Sequence, residues 1–211
     1  ASEVQSHDAD LGIAFVGDAD RVLIVDGAGR SYDGDELLFA ITRHRSGRQK
    51  IAGVVGTLMT NFAFEKAMAR LGIGFARAKV GDRYVLELLR EKGWQLGGEN
   101  SGHLICLDKH TTGDGIVSSL QVLEAMRESG RSLAELTAEL VMFPQVLVNV
   151  AVPRGFQWEK HEAIKKAQSD VEQSLNGKGR VLLRPSGTEP VLRVMVEGEP
   201  RNAIESAAKS I

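Results

Sequence analysis

The chain has 211 residues, 43% of them hydrophobic and 26% charged, with a formal net charge of −2. Acids and bases are interspersed and only two Trp and two Tyr are present, which excludes a basic, base-stacking nucleic-acid surface and a strongly charged membrane-binding face. No apolar run approaches the roughly 20 residues of a membrane-spanning helix, and the lone Cys106 lies in the apolar run Leu104-Ile105-Cys106-Leu107, as a buried thiol of a reducing compartment would.

The first residues, Ala1-Ser2-Glu3-Val4-Gln5, carry neither a start methionine nor a signal-peptide pattern and read as the middle of a longer chain. Leu11 to Phe15 and Val22 to Val25 are short apolar runs around the turn Gly17-Asp18-Ala19-Asp20, and Asp26-Gly27-Ala28-Gly29 closes a second turn. Such a pair is marginal alone and is expected to belong to a larger sheet.

From Asp33 onward strands and helices alternate. Asp35 is placed to cap a helix carrying Leu37, Leu38 and Ile41, and His44-Arg45-Ser46-Gly47 reads as its solvated end. A buried strand follows at Ile51 to Val55. Phe64, Ala67, Met68 and Leu71 then share one helix face, stopped by Gly72. Ile73 to Ala78 is a strand, and Asp82 opens a helix that Gly93 ends. Trp94 to Leu96 and Leu104 to Leu107 are strands around a glycine-rich loop, and Asp114 begins a helix with Ile116, Val117, Leu120, Leu123 and Met126. This alternation predicts an α/β layer on a mostly parallel sheet. Ser132-Leu133-Ala134-Glu135 is a capping box, and a domain boundary is expected near Phe143-Pro144. Beyond it a strand (Val146 to Val152), a polar helix (about 159–175), two strands and a helix from Pro200 make a small α+β unit.

Several loops carry chemistry-bearing residues. In Arg184-Pro185-Ser186-Gly187-Thr188-Glu189-Pro190 a two-proline turn can aim backbone N–H groups and hydroxyls at one point, with Arg184 and Arg193 as guanidinium forks; it fits an anion cradle and a plain hairpin turn alike. In Gly97-Gly98-Glu99-Asn100-Ser101-Gly102-His103 the alternating carboxylate, hydroxyl and imidazole suit vicinal sugar hydroxyls, and also a polar surface hairpin. Asp18 and Asp20 offer hard oxygens to a divalent cation or form an acidic turn. Lys79-Val80-Gly81-Asp82-Arg83 opens a helix whose N-terminus favours an anion, or is capped by Asp82 alone. The loop Asp108 to Asp114 is equally open.

Taken together, Gly17-Asp18-Ala19-Asp20-Arg21, Gly53 to Met59, Ala76 to Val85, Gly98 to His103, Asp108 to Val117 and Arg184 to Pro190 resemble the α-D-phosphohexomutases, in the family's order and over nearly the whole chain. The resemblance implies a remnant of domain two with its metal loop over 1–32. It implies a sugar-binding domain three, an α/β/α layered sheet, over 33–142, and a phosphate-binding, TATA-binding-protein-like α+β domain four over 145–211. In that family a serine of domain one carries a phosphoryl group, passes it to a hexose phosphate, and recovers the other phosphate after a bisphosphate intermediate reorients.

The Lys79-to-Arg83 and Asp108-to-Gly115 loops favour a member acting on amino sugars, with glucosamine 1,6-bisphosphate as intermediate and a role in peptidoglycan precursor synthesis. A phosphomannomutase/phosphoglucomutase and a non-catalytic sugar-phosphate-binding protein are the alternatives. By resemblance, Glu99 and Ser101 hold sugar hydroxyls, with Lys79 also in the substrate site, and His103 orients them or assists proton transfer. Arg184, Ser186, Gly187, Thr188 and Arg193 clamp the phosphate that is not transferred. Asp18 and Asp20 hold Mg²⁺, and Arg21 steadies the transferring phosphate. Two departures stand out. Val16 occupies the place of a third metal aspartate, and no serine here sits in the family's nucleophile motif, so the expected partners are a phosphorylated hexosamine and the enzyme's N-terminal domains. The implied setting is cytoplasmic, without nucleic acid or membrane.

Overall fold

A computed structural model describes residues 1–186 and 189–211, in two compact units, 1–141 and 142–211. After a short helix, α1 (Ser2–Ser6), strands β1 (Leu11–Val16) and β2 (Arg21–Asp26) pair antiparallel, and β2 also pairs with β3 (Ser31–Tyr32). Alternation fixes their faces: Val22, Ile24 and Tyr32 are buried, whereas Phe15 and Leu23 stay 44% exposed. In the β1–β2 turn, Ala19 adopts φ 68°. A Cβ in the left-handed region costs roughly 1–2 kcal/mol. We therefore expect Ala19→Gly to stabilise unit 1 by about 1 kcal/mol; an unchanged or lowered urea midpoint would refute this.

The main sheet runs β5 (Gly74–Ala78), β4 (Gly53–Thr57), β6 (Leu96–Gly98), β7 (Leu104–Cys106); the first three are parallel and β7 is antiparallel. Val54 and Val55, neighbours on β4, point to opposite faces and are both fully buried, so the sheet is covered on both sides. Helix α4 (Asp82–Lys92) covers one face, where Val85 and Leu89 meet Val55, Ala78 and Ile105. Helices α2 (Gly34–Ser46), α3 (Phe62–Arg70), α5 (Gly115–Ser129) and α6 (Leu133–Thr137) complete the unit, with α2 in contact with β6, α5 and α6. Ser132 and Glu135 form the expected capping box, and Gly93 ends α4 in the left-handed conformation. Cys106 is buried, and desolvation pushes its thiol up to about 11, which makes it unreactive.

Unit 2 is an antiparallel sheet ordered β8 (Gln145–Ala151), β10 (Val191–Gly198), β9 (Gly179–Pro185). A short 3₁₀ turn precedes α7 (Glu162–Ser174), and α8 (Arg201–Ser210) closes the chain. The helices cover one sheet face through Val171, Leu175, Val181, Leu183, Leu192, Val194, Val196 and Ile204. Burying each such side chain contributes about 1.5–3 kcal/mol.

Four local expectations need correction. Asp33, not Asp35, caps α2, in a reciprocal box with Glu36; Asp35 lies buried in the first turn. Gly81, not Asp82, is the N-cap of α4, and no side chain caps it. The end of α2 is exposed only from Gly47: Arg45 is buried and donates to Asp108 (2.9 Å) and Gln121, while His44 meets Glu128 at 2.9 Å. Helix α5 turns its small side inward (Ser118, Ser119, Val122, Ala125) and leaves Ile116, Leu120 and Leu123 exposed, because small residues let α2 approach closely.

Candidate functional site

In unit 1 the polar loops converge. The Val22 amide donates to Gly102 O at 3.1 Å and the Gly115 amide to Ala19 O at 2.8 Å, so the β1–β2 turn, the β6–β7 turn and the start of α5 are laced together by backbone. A Cβ on Gly102 (φ 92°) would lie 2.2 Å from Val22 O, so this approach requires glycine. His103 Nδ1 stands 3.1 Å from Asp20 Oδ2, and Arg21 Nε lies 3.8 Å from the same oxygen. A carboxylate partner keeps a proton on Nδ1, so that whenever the imidazole is neutral Nε2 is its acceptor. Desolvation works to raise the Asp20 carboxyl, but hydrogen bonds with His103 and Asp18, and the charges of His103 and Arg21, outweigh it and hold it below the usual carboxylate range. His103 is 3% exposed, and its Nε2 has no partner among the described residues. The ring fits because residue 113 is glycine: a Cβ there would sit 2.0 Å from Nε2. Asp20, His103 and Gly113 border a cavity of about 400 Å³ with Asp18, Asp82, His110 and Asp114.

Glu99 is buried and its Oε1 accepts from the Gly81 amide at 2.9 Å. The turn that carries it is closed by Gly102 N–H to Glu99 O (3.0 Å) and Glu99 N–H to His103 O (2.9 Å). Ser101 is exposed at the tip, and Lys79 is exposed with Nζ 5.8 Å from the Tyr84 ring centroid.

In unit 2, Arg184 and Arg193 face each other directly across β9 and β10. Like charges in that position repel. Four pairs further along the same ladder, Arg180 opposes Glu197 and the two form an ion pair, so the contrast lies in the sequence and not in the strands. Arg193 Nη2 donates to Ser186 Oγ at 3.4 Å and lies 3.5 Å from the Glu189 carboxylate, and Arg193 Nε is buried without a partner among the described residues. An anion between the guanidinium groups would relieve the repulsion and occupy that donor. Ser186 and Glu189 also line a cavity of about 490 Å³ with Arg154 and Phe156. Gly187 and Thr188 lie outside the described residues.

The family model described as "Phosphoglucomutase/phosphomannomutase, alpha/beta/alpha domain III" matches residues 33–142, and that of the "C-terminal domain" of the same enzymes matches 147–211. The chain belongs to the phosphoglucomutase/phosphomannomutase family. Among curated members, it is 58% identical over 208 residues to a phosphoglucosamine mutase of Janthinobacterium sp. (strain Marseille), covering 99% of this chain and 47% of that protein. It is 60% identical to the one from Dechloromonas aromatica (strain RCB), at 99% and 46% coverage. The chain thus spans about half the length of the curated relatives it matches. Its fold is similar to a phosphoglucomutase/phosphomannomutase family protein from Burkholderia thailandensis (TM-score 0.77, 20% identity, 99% of this chain and 47% of that one). It is also similar to Aspergillus fumigatus N-acetylphosphoglucosamine mutase in complex with GlcNAc-6P and magnesium (TM-score 0.72, 22% identity, 95% and 51%).

Within this phosphohexomutase chain, the β1–β2 turn offers two carboxylates that could donate to a divalent cation, Asp18 and Asp20, of which Asp20 already meets His103, and Asp82 and Asp114 border the same cavity. No group of three or more His, Cys, Asp or Glu able to hold a metal occurs among the described residues. Two carboxylates still fit Mg²⁺, which keeps several waters and takes substrate phosphate oxygens. Asp18 and Asp20 would hold it weakly. Val16 ends β1 beside this turn and is 42% exposed. Val16→Asp is expected to tighten Mg²⁺ binding about tenfold or more, since a third anionic oxygen joins the set; calorimetry showing no gain would refute it. Gly81, Gly113 and His110 lie in polar loops already marked in the sequence, but no individual role was legible for them there. The glycines act through their backbone or their lack of a side chain, which residue type and spacing do not reveal.

Proposed function

We propose that this chain supplies the sugar-binding and phosphate-binding parts of a phosphoglucosamine mutase, which interconverts glucosamine 6-phosphate and glucosamine 1-phosphate through a phosphoserine and glucosamine 1,6-bisphosphate. The observation that carries this reading is the 58–60% identity, over 99% of the chain, to proteins of that name. Glu99 and Ser101 hold sugar hydroxyls with Lys79 nearby. His103, held by Asp20, presents Nε2 as an acceptor that orients a hydroxyl or takes its proton. Arg184, Ser186 and Arg193, with Gly187 and Thr188, clamp the phosphate that stays in place. Arg21 steadies the one in transfer, and Mg²⁺ at Asp18 and Asp20 neutralises phosphate oxygens when bound. This division suits phosphoryl transfer, in which positioning and charge stabilisation do most of the catalysis. In this reading 1–32 belongs to domain two, 33–142 is domain three and 145–211 is domain four. The setting is cytoplasmic, as the single reduced cysteine fits. No helix among the described residues is long and apolar enough to cross a membrane.

The pure 211-residue chain is expected to bind glucosamine 6-phosphate in calorimetry, more tightly than mannose 6-phosphate, and to show no turnover in a coupled assay. The reading fails if the sugar phosphate does not bind. Measurable conversion would show that the chain needs no separate phosphoserine-bearing part.

A further inference from the structure

The carboxylate of Glu99 has two oxygens and a buried position, and its use in sugar recognition depends on which oxygen is offered. Oε1 accepts from the Gly81 amide at 2.9 Å, 18 residues away along the chain, and no hydrogen bond engages the second oxygen among the described residues. Gly81 has φ 129° and ψ 133°, a conformation confined to glycine, so the direction of its N–H is a property of that residue type. The residue is also anchored: its carbonyl accepts from the Tyr84 and Val85 amides (3.0 and 3.3 Å), fixing it as the N-cap of the eleven-residue α4, where no side chain caps the helix. Glu99 thus places a carboxylate at this helix N-terminus, beside the first-turn Asp82, where the helix dipole favours negative charge.

We propose that the Gly81 amide is the positioning group for Glu99, holding one carboxylate oxygen so that the other is presented to a single hydroxyl or amino group of the hexosamine. This rests on the functional reading above. In the unaltered 211-residue chain the contact is already formed, which spares the ordering cost that a free glutamate would incur on binding.

The test is a double-mutant cycle read by calorimetry with glucosamine 6-phosphate, with inorganic phosphate as a second probe. Gly81→Ala is expected to weaken sugar-phosphate binding about tenfold and to leave phosphate binding unchanged, and Gly81→Ala added to Glu99→Gln should cost nothing further, because both act on one contact. Additive losses, or unchanged sugar-phosphate affinity in Gly81→Ala, would overturn the proposal. A measurement independent of ligand and of the Gly81 variant's folding is the amide spectrum of the chain. The Gly81 N–H resonance should move on Glu99→Gln, and a resonance that stays put would overturn the contact. Failure of the unaltered chain to bind glucosamine 6-phosphate would overturn the functional reading and the recognition role together, while the amide shift reports on the contact alone.

Discussion

Asp35→Asn is expected to match the unaltered chain in stability near pH 5 and to exceed it by several kcal/mol near pH 9. Asp35 is 1% exposed; Oδ2 accepts from the Asn61 amide at 2.8 Å, and Oδ1 is buried without a hydrogen-bond partner among the described residues. Desolvation, with the charge of Asp33 added, pushes its carboxyl up to about 8, against the opposing pull of Asn61, Thr60 and Arg77. The unfolded chain titrates near the ordinary value of about 4. Between those two values the folded state holds a proton that the unfolded state has released, so stability falls as pH rises from about 4 and the loss is complete above about 8. The integrated effect has an upper bound of roughly 5 kcal/mol. Asparagine keeps the acceptor for Asn61, adds an unpaired donor that costs about 1–3 kcal/mol at every pH, and carries no charge to bury. Burial also raises Asp33 and Glu36, but they titrate in both proteins. Urea midpoints across pH 5–9 decide the matter: a stability difference that does not change with pH would refute it.

Gly34→Ala is expected to cost unit 1 about 3 kcal/mol or more, at the upper end of overpacking, and to abolish the proposed sugar affinity. A Cβ on Gly34 would lie 2.0 Å from Glu99 O, 2.7 Å from Gly102 N and 3.0 Å from Glu99 C. All three are backbone atoms of the turn that holds Glu99 and Ser101, so no rotamer change relieves the clash. The Gly34 amide also donates to Asn100 O at 2.9 Å, so a displaced turn loses that bond as well. The two tryptophans fall one to each unit, Trp94 in the first and Trp158 in the second. In a Trp158→Phe background, fluorescence therefore follows unit 1 alone. A midpoint within 1 kcal/mol of the parent, or unchanged glucosamine 6-phosphate binding, would refute the argument.

Much of the candidate site was legible as loops before it was legible as geometry. Asp18, Asp20, Glu99, Ser101, His103 and the Arg184–Arg193 segment stood out because each loop joins two apolar runs and carries polar types that a solvated turn does not need. The alternatives to function, an acidic turn and two hairpins, could not be separated from it locally. What the sequence could not show is contact over distance: His103 to Asp20 spans 83 residues and Gly81 to Glu99 spans 18. Periodicity and capping rules act within a turn or two and are blind at that range.

The sequence by itself determined the alternation of strand and helix, the capping box at Ser132, the stop at Gly93, the break between an α/β and an α+β part, and the family to which the loops belong. Tertiary structure alone decided that Asp33 caps α2 while Asp35 is buried, that α5 hides its serines and shows its leucines, that Arg45 is an inner cation for Asp108, and that Glu99 answers to a glycine amide. The physical reason is the reach of the forces involved. Backbone propensity and side-chain spacing are settled among near neighbours, whereas burial, desolvation and charge pairing depend on whatever the fold brings alongside, and that is a property of the whole chain.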